Sequence, residues 1–395
     1  MRMTQLKTIA DIQTGPFGSQ LHKEDYVETG TPIVTVEHLG NRVFTEQNLP
    51  RVSDSDKARL IKYTLSTGDI VFSRVGSVDR CSYVDKSHDG WMFSGRCLRV
   101  RPTELVDSLY LYYYFCLEET KQFVRNIAVG ATMPSINTKL LGEVEIALPD
   151  LNNQKRIAAV LSSLDDKIEN NQKLNDNLEQ QAQSYFQELF VDNADPEWTT
   201  GSISDLGVVV GGSTPSKAKP EYYTESGIAW ITPKDLSINK SKFISHGEND
   251  ITELGLKNSS ATIMPEGTVL FSSRAPIGYI AIAAGEVTTN QGFKSVVPKP
   301  EIGTPFVYFF LKHNLPIIEG MASGSTFKEV SGSTMKNIPA VIPDADTLGR
   351  FNDFCAPIFA QQRILEEECQ SLAALRDNLL PKLMSGEIDV SDIQL

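Results

Sequence analysis

Residues 148–174 read LPDLNNQKRIAAVLSSLDDKIENNQKL, and this stretch predicts a long helix in the middle of the chain. Its apolar residues recur at alternating spacings of four and three, beginning with Ile157, Leu161, Leu164 and Ile168. That spacing is typical of a coiled-coil seam. The seam continues through two asparagines before apolar residues return. Because a helix with one narrow apolar stripe buries too little surface to stand alone, it requires a partner.

An internal repeat supplies a second helix of the same kind. Residues 130–150 read GATMPSINTKLLGEVEIALPD, and residues 324–344 read GSTFKEVSGSTMKNIPAVIPD. The two stretches align without a gap at an offset of 194. Both end in an alternating apolar strand, and a helical pattern follows each strand. The order of the chain is therefore globule, helix, globule, helix.

Two further pairs of segments extend the repeat upstream. GTPIVTVEHL (30–39) resembles GIAWITPKDL (227–236), and GDIVFSR (68–74) resembles GTVLFSSR (267–274) with one extra serine. Each match is weak by itself, but their common order indicates two similar globules. Short alternating apolar strands are separated by Gly, Pro, Asn and Ser turns and interrupted by a few helical patches. We predict that each globule is α+β with a mainly antiparallel, curved sheet.

We predict that the two long helices pair with each other along their seams. Because the second helix must run back toward the first globule, the pair is expected to be antiparallel and pseudo-two-fold symmetric. About 36 residues at about 1.5 Å each would give a rod of roughly 54 Å. The alternative is that each helix packs only on the surface of its own globule. The predicted seam residues are Ile157, Leu161, Leu164, Ile168, Leu178, Tyr185, Leu365, Leu372, Leu379 and Leu383.

The predicted organisation divides the chain at the ends of the helices. One globule comprises residues 1–150 and the other 196–344, and the helical stretches comprise 151–195 and 345–395. The formal net charge of the chain is −13, and the two helical stretches hold nine of these excess negative charges. The globules are close to neutral, so a local basic face on either of them is compatible with the total.

Composition limits the class of protein. The chain is 41% hydrophobic and 22% charged, which is typical of globular domains. No apolar run approaches the ~18 residues needed to cross a bilayer, and the N-terminus lacks the continuous apolar segment of a signal peptide. The five cysteines are widely spaced and form no CxxC pair, so we predict reduced thiols in a cytoplasmic protein.

Sequence motifs give no support for an enzyme. The chain has no GxxxxGK[ST], no GxSxG and no histidines at metal-ligand spacing. VVVGGSTPSK (208–217) has glycines and a lysine but not the spacing of a nucleotide loop. Pro149-Asp150 followed by Asp165-Asp166-Lys167 satisfies a loose nuclease pattern, but about 22 Å of helix rise would separate Asp165 from Asp150. We therefore predict no catalytic residue and no metal site.

Polar loops beside strands remain, at matching places in the two halves. Arg, Lys, Asn, Gln, Ser and Thr are hydrogen-bond partners for DNA phosphates and base edges. Any single loop could equally be an ordinary turn or helix cap, but recurrence in both halves favours the set. The candidate DNA-binding residues are Thr14, Phe17, Ser19, Gln20, Ser73, Arg74, Arg80, Arg96, Thr132, Ser135, Asn137, Ser213, Thr214, Ser216, Lys217, Ser273, Arg274, Asn290, Gln291, Thr326 and Lys328.

The repeated globule–helix plan resembles the specificity (S) subunit of type I restriction-modification enzymes over essentially the full chain. LPDLNNQKRIAAVLSSLDDKI is similar to the family pattern LPPLxEQxxIxxxLxxLDxxI, and LRDNLLPKLMSGEI (375–388) is similar to the family's C-terminal signature. GSTPSK (212–217) and YYTESGIAWITPKDL (222–236) resemble the opening of its target-recognition domains. LFSSRAPIGYIAIA (270–283) and TTNQGF (288–293) resemble their middle.

The resemblance implies that each globule is a target-recognition domain for one half of a bipartite site in double-stranded DNA. The helix pair would hold the half-sites apart and dock two methyltransferase (M) subunits, with restriction/translocase (R) subunits joining through them. The chain itself would be non-catalytic, and AdoMet, ATP and Mg²⁺ would bind the partner subunits. One turn of DNA places half-site centres about 34 Å apart, which a rod of roughly 54 Å can bracket.

Three departures from the family pattern bear on this expectation. Asn153-Gln154 stands where the family usually has Glu-Gln, and residues 345–348 lack the glutamine signature. The first globule begins QTGPFGSQ (13–20) where the second has GSTPSK, so the two halves are expected to read different sequences. The rival hypotheses are a stand-alone DNA-binding regulator and a coiled-coil scaffold whose globules bind protein.

Overall fold

The computed structural model of the 395-residue chain is described for residues 2–16, 20–324, 328–391 and 393. Contacts divide the chain into two units. One comprises residues 1–169 with 371–395, and the other comprises 170–370. The division falls inside two long helices, so each unit contains one sheet-rich globule and a segment of each helix.

The first unit combines small sheets with short helices. Its strands are β1 (Arg2–Gln5), β2 (Ala10–Thr14), β3 (Tyr26–Val27), β4 (Thr31–Val34), β5 (Arg51–Val52), β6 (Ile70–Ser73), β7 (Cys81–Tyr83), β8 (Met92–Phe93), β9 (Cys97–Pro102) and β10 (Glu145–Leu148). Its helices are α1 (Asp54–Arg59), α2 (Ser108–Cys116), α3 (Glu118–Ile127), α4 (Thr138–Gly142) and the start of α5 (Leu151–Gln187).

One four-stranded sheet of the first unit has the strand order β2-β9-β6-β7 and is antiparallel throughout. A second sheet, β3-β5-β4-β8, contains a parallel pair between β4 and β8, and β1 pairs with β10. Every residue of β6 (IVFS) is buried, as expected for a strand covered on both faces. Helix α2 (SLYLYYYFC) is almost entirely apolar or aromatic, and it lies in the same core, where the Phe115 ring meets the Phe72 ring edge-on at 4.7 Å.

The second unit contains a corresponding set of elements. Its strands are β11 (Thr199–Ser202), β12 (Gly207–Gly211), β13 (Tyr223–Thr224), β14 (Ile228–Ile231), β15 (Phe243–Ile244), β16 (Asn249–Ile251), β17 (Val269–Ser273), β18 (Ile277–Ala283), β19 (Thr288–Thr289), β20 (Lys294–Pro298) and β21 (Pro339–Ile342). Its helices are α6 (Ile203–Leu206), α7 (Pro233–Ile238), α8 (Glu253–Lys257), α9 (Thr304–His313), α10 (Leu315–Gly320), α11 (Gly332–Lys336) and part of α12 (Ala345–Ser385).

The second unit repeats the sheet topology of the first. The order β12-β20-β17-β18-β15 corresponds to β2-β9-β6-β7 with one added strand. The order β13-β16-β14-β19 corresponds to β3-β5-β4-β8 and contains the equivalent parallel pair. β11 pairs with β21 as β1 pairs with β10. The predicted α+β fold with two similar sheet-rich globules and two long helices is confirmed.

An aspartate that follows a proline begins each long helix. Asp150 Oδ1 accepts a hydrogen bond from the Asn153 backbone N–H at 3.0 Å. Asp344 accepts from the backbone N–H of Thr347 at 2.9 Å and from its hydroxyl at 2.8 Å. These bonds satisfy N–H groups that have no partner within the first helical turn. The bonds from Thr347 hold the pKa of Asp344 at about 2, below its usual value.

Within the first unit, the N-terminal part of α5 packs against the C-terminal part of α12. Leu161 of α5 and Leu383 of α12 share one apolar core with the globule. The Asp165 side chain is buried, accepts a hydrogen bond from the Tyr113 hydroxyl at 2.6 Å, and pairs with Arg376 at 2.6 Å. Asp165 therefore joins the globule to both helices.

Within the second unit, residues of α5 in ascending order meet residues of α12 in descending order. The Asn171 amide donates to Glu368 at 2.7 Å, and farther along the Tyr185 ring lies 4.6 Å from the Phe354 ring. The two segments are therefore antiparallel, as predicted. A buried amide restricts the register because a slipped pairing would leave it without a partner. All ten predicted seam residues are buried or half-buried.

Candidate nucleic-acid interface

In the first unit, four backbone segments meet at one end of the β2-β9-β6-β7 sheet. The Gly15 N–H donates to the Cys97 carbonyl at 3.2 Å, and the Arg74 N–H donates to the Arg96 carbonyl at 2.8 Å. The Arg74 carbonyl accepts from the Ile136 N–H at 2.9 Å. The first loop cluster is defined as residues 14–16, 74–76, 94–97 and 129–136.

Arginines in and beside the first loop cluster give it positive charge. Arg74 is half-buried, and its Nη1 donates to the Gly95 carbonyl at 3.1 Å. Arg96 is exposed. Arg80 lies in the connection between β6 and β7, is exposed, and donates to the Leu39 carbonyl. Their guanidinium groups are suited to phosphate oxygens and to the acceptor edge of guanine.

The equivalent end of the β12-β20-β17-β18-β15 sheet carries a matching set of segments. The Ser213 N–H donates to the Thr289 carbonyl at 2.8 Å, and the Ser273 N–H donates to the Gly292 carbonyl at 2.7 Å. The Ser273 carbonyl accepts from the Val330 N–H at 3.0 Å. The second loop cluster is defined as residues 212–217, 273–276, 289–293 and 328–330.

Backbone hydrogen bonds align the two clusters residue by residue. Arg74 and Ser273 make equivalent bonds, because each donates to the loop before the next sheet strand and accepts from the segment before α4 or α11. Ser273, the extra serine of GTVLFSSR, therefore takes the place of Arg74. The arginine of the second copy follows one position later, so Arg274 corresponds to Val75. The two clusters present an arginine from adjacent positions of the same backbone frame.

A carboxylate distinguishes the second loop cluster from the first. Glu329 pairs with Arg274 at 3.3 Å and with Lys294 at 3.6 Å. Ser135 occupies the corresponding place in the first cluster and donates to the Val129 carbonyl at 3.2 Å. Lys294 and Glu329 were not among the predicted residues, although Lys294 directly follows the TTNQGF motif. The two clusters share a backbone frame but offer different side chains.

Two of the predicted DNA-binding residues hold the loops from inside. Ser73 and Ser273 are 1% and 0% exposed. Their hydroxyls donate to the carbonyls of Val75 at 2.8 Å and Gly292 at 3.1 Å. Neither hydroxyl reaches the surface in this structure, so both serines support the loops, and their contact with DNA stays a prediction.

Four predicted amide side chains have local partners. Asn137 caps α4, Asn290 accepts from the Gly292 N–H at 2.8 Å, and Gln20 accepts from the Tyr63 hydroxyl at 2.5 Å. Gln291 accepts from the Thr214 hydroxyl. Phe17, Ser19 and Thr326 lie outside the described residues. The other candidates are exposed or half-buried and are Thr14, Arg74, Arg80, Arg96, Thr132, Ser135, Ser213, Thr214, Ser216, Lys217, Arg274 and Lys328.

Two glycines at equivalent places allow the clusters to form. A Cβ atom on Gly15 would overlap the carbonyl oxygen of Ser94, and a Cβ atom on Gly212 would overlap that of Asn290. Each glycine directly or closely follows the strand that leads into its cluster, β2 or β12. These two glycines were not matched from the sequence, because they are matched by a backbone contact that the sequence does not reveal.

We expect Gly212→Ala to push the start of the second loop cluster away from residues 289–290. The overlap with backbone should lower the free energy of unfolding by about 1–3 kcal/mol and weaken DNA binding by the assembled complex. Urea denaturation and a DNA-binding titration would measure the two effects. Gly285→Ala is the matched control because its Cβ would meet open space. Equal behaviour of the two variants would contradict this role for Gly212.

The structure also bears on metal binding, membrane insertion and disulfide bonding. Among the described residues, no group of three or more His, Cys, Asp or Glu side chains is placed to hold a metal ion. No helix in the described ranges is both long and apolar enough to cross a membrane. All five cysteines are free thiols.

Comparisons with known proteins extend over both halves of the chain. The family described as Type I restriction modification DNA specificity domain matches residues 1–180 and 196–366. The type I restriction enzyme MjaIX specificity subunit of Methanocaldococcus jannaschii is 39% identical over 191 residues, which cover 46% of this chain and only 44% of that relative. The HindI specificity subunit of Haemophilus influenzae is 24% identical over 406 residues, which cover 83% of this chain and 88% of that relative.

A solved structure shows the same fold. The crystal structure of a type I restriction-modification S subunit from M. genitalium matches with a TM-score of 0.62 at 18% identity, covering 97% of this chain and 95% of that chain. The family match and the fold agree with the duplicated loop clusters and the paired helices. The chain therefore belongs to the family of DNA specificity (S) subunits, the non-catalytic chains of type I restriction-modification complexes.

Proposed function

We propose that the chain reads an asymmetric, bipartite site in double-stranded DNA, with residues 1–150 and 196–344 as target-recognition domains for one half-site each. The observation that carries this proposal is the pair of loop clusters. One backbone frame recurs at the same end of two equivalent sheets, but its side chains differ. Such a frame suits base recognition, because each base pair presents a distinct pattern of donors, acceptors and methyl groups in the major groove.

Cationic side chains around the clusters would supply the contacts to DNA phosphates. Arg74 and Arg96 serve this purpose in the first cluster, and Lys217 and Lys328 are exposed in the second. The chain is nevertheless acidic overall, with a formal net charge of −13. Because phosphate contacts dominate the affinity for DNA, we propose that partner subunits contribute a large share of the contacts to DNA phosphates.

We propose that α5 and α12 set the distance between the half-sites and dock two methyltransferase subunits, through which restriction/translocase subunits join. Both helices carry large apolar side chains that face solvent in this chain: Leu174, Phe354, Ile364 and Leu375 are 46%, 40%, 57% and 48% exposed. Exposed apolar groups on otherwise acidic helices support a protein-binding surface. AdoMet, ATP and Mg²⁺ would bind the partner subunits.

Co-purification tests this proposal. The tagged chain should retain a methyltransferase at two copies per chain, and the complex should protect both halves of a bipartite DNA site. Ile364→Asp should reduce the recovered methyltransferase by roughly tenfold or more, because a carboxylate would be desolvated in the interface. Val208→Asp is the control, since Val208 is 63% exposed on the globule strand β12.

The same experiment separates the two rival functions. A stand-alone regulator would bind its DNA site tightly without any methyltransferase. A protein-binding scaffold would leave DNA unprotected even with the methyltransferase present. Either outcome would contradict the proposed function.

A further inference from the structure

Each unit places one basic residue at the same point of its repeat, and this residue touches a long helix. The Arg42 carbonyl accepts a hydrogen bond from the Tyr83 N–H at 2.7 Å, and the Lys242 carbonyl accepts from the Ile282 N–H at 2.7 Å. Tyr83 and Ile282 occupy equivalent register positions, because they pair with Ile70 of β6 and Val269 of β17. Arg42 and Lys242 are therefore equivalent residues. The sequence comparison did not identify this pair.

In the first unit, Arg42 binds three groups on α5. Its Nη2 lies 2.7 Å from Asp166 Oδ1, and its Nη1 lies 3.7 Å from Glu169 Oε1. Nη1 also donates to the Ser162 carbonyl at 3.3 Å. The Arg42 side chain is only 17% exposed. Contacts to three points within two turns fix both the position and the direction of the loop against the helix.

In the second unit, Lys242 is buried between the globule and both helices. Its Nζ lies 2.6 Å from Glu179 on α5 and donates to Gln362 on α12 at 2.7 Å. The same ammonium lies 3.6 Å from the centre of the Phe359 ring and 4.5 Å from that of Tyr308. A charged group with two polar partners and flanking aromatic faces has one well-defined location.

The backbone beside Lys242 is held as well. The N–H groups of Lys242 and Phe243 donate to the two carboxylate oxygens of Glu366 on α12, at 2.7 and 3.0 Å. These contacts lie next to β15, which pairs with the C-terminal end of β18. Near the other end of β18, the turn from β17 carries Arg274 of the second loop cluster. The β17–β18 hairpin thus joins the helix contact to the DNA-facing end of the sheet, and β6–β7 has the equivalent place in the first unit.

Stability alone does not account for a buried ammonium at this point. Removing a charge from water costs several kcal/mol, and an apolar side chain of similar volume often stabilises a fold as well or better. A charged pair differs from an apolar contact in its directionality, since the partners must keep one distance and one angle. A charged residue in such a pair therefore restricts the orientation of the globule on its helices.

We propose that Arg42 and Lys242 are positioning residues that fix the orientation of each recognition domain on its helix pair, and that they thereby narrow the range of spacer lengths the subunit accepts between half-sites. This inference rests on the proposed function. If either contact is lost, the domain can tilt on its helices, and half-sites one base pair closer or farther apart come within reach.

The test is a spacer series read out by methylation. The full complex of the chain and its methyltransferase is given duplexes with the native spacer and with spacers one base pair shorter and longer. The measured quantity is the ratio of the initial methylation rates on native and altered spacers. A general loss of activity or stability cancels in this ratio.

Arg42→Met and Lys242→Met are each expected to lower that ratio by roughly tenfold, because small misplacements of a bound site have large rate effects. Arg42→Lys retains a charge but offers one nitrogen to three points on α5, so it should restore only part of the ratio. Lys234→Met is the matched control, since Lys234 pairs with Glu248 at 2.5 Å on the globule surface. If Lys242→Met does not fold, the ratio measured for Arg42→Met still tests the proposal.

An unchanged ratio in Arg42→Met, with at most a lowered melting temperature, would assign the residue to stability and overturn the proposal. Failure of the proposed function looks different. In that case the unmodified complex would methylate no bipartite site at any spacer length.

Discussion

Glu179→Gln should lower the free energy of unfolding by roughly 3–5 kcal/mol, which is the usual cost of removing one partner from a buried ion pair. The Glu179 carboxylate lies 2.6 Å from Lys242 Nζ and 2.6 Å from Lys312 Nζ, and the Tyr308 hydroxyl donates to it at 3.2 Å. A neutral amide removes the carboxylate that pairs directly with the buried Lys242 ammonium. Urea denaturation at neutral pH measures this loss.

The loss in free energy of unfolding caused by Glu179→Gln should depend on pH. Burial alone would raise the pKa of Glu179, but Lys242 and Lys312 outweigh it and hold that pKa at about 2, below its usual 4.5. A carboxyl pKa that is depressed in the folded state stabilises the fold above the unfolded-state pKa, and this stabilisation is lost as the pH falls through the folded-state pKa. The difference between the two proteins should be constant from neutral pH to about 6 and shrink between 4.5 and 2.

Glu248→Gln is the control for this experiment. Glu248 pairs with Lys234 at 2.5 Å, but both side chains are about 60% exposed. Ion pairs in water contribute little, so the urea midpoint of this variant should stay close to that of the unmodified chain. If Glu179→Gln behaved like Glu248→Gln, the ion-pair account of the helix contact in the second unit would be wrong.

Exchanging residues 1–150 for the corresponding domain of another S subunit should change one half of the recognised DNA sequence and leave the other half intact. Each loop cluster is built entirely from its own globule, with residues between 14 and 136 in the first and between 212 and 330 in the second. Because each mismatched base pair costs about 1–3 kcal/mol, several changed positions should reduce methylation of the original site at least a hundredfold.

The reciprocal exchange of residues 196–344 is the control for the first. It should change the other half-site and preserve the half that the first exchange altered. Sequencing of modified DNA from cells that express each hybrid measures both. If either hybrid altered both half-sites, the two domains would not act as separate readers.

The sequence alone predicted the parts of the fold that depend on repeated local patterns. The four-three spacing from Ile157 onward identified a helix seam, and the matching copy at an offset of 194 identified the second helix and globule. Asn171 was recognised as a polar seam position, but its partner Glu368 was not. Which acid of a helix faces a given asparagine depends on the register and rotation of both helices, and sequence spacing does not set either finely enough.

The contacts that join each globule to its helices could not be predicted from the sequence. Arg42 and Lys242 are single basic residues in loops. The sequence around each of them does not distinguish it from an ordinary surface arginine or lysine. Their partners lie about 60 to 130 residues away along the chain. The burial of Ser73 and Ser273 could not be predicted for a related reason, because it depends on loops that are distant in the sequence.

Two different half-sites are the essential feature of the proposed function, and methylated adenines in the source genome report on them. Their positions should be mapped in cells with the gene for this chain and in cells from which it has been deleted. We predict one asymmetric, two-part motif with a modified adenine on each strand, present with the gene and lost on deletion. A methylation pattern that is unchanged by deletion, or a lost motif that is continuous or palindromic, would contradict the account.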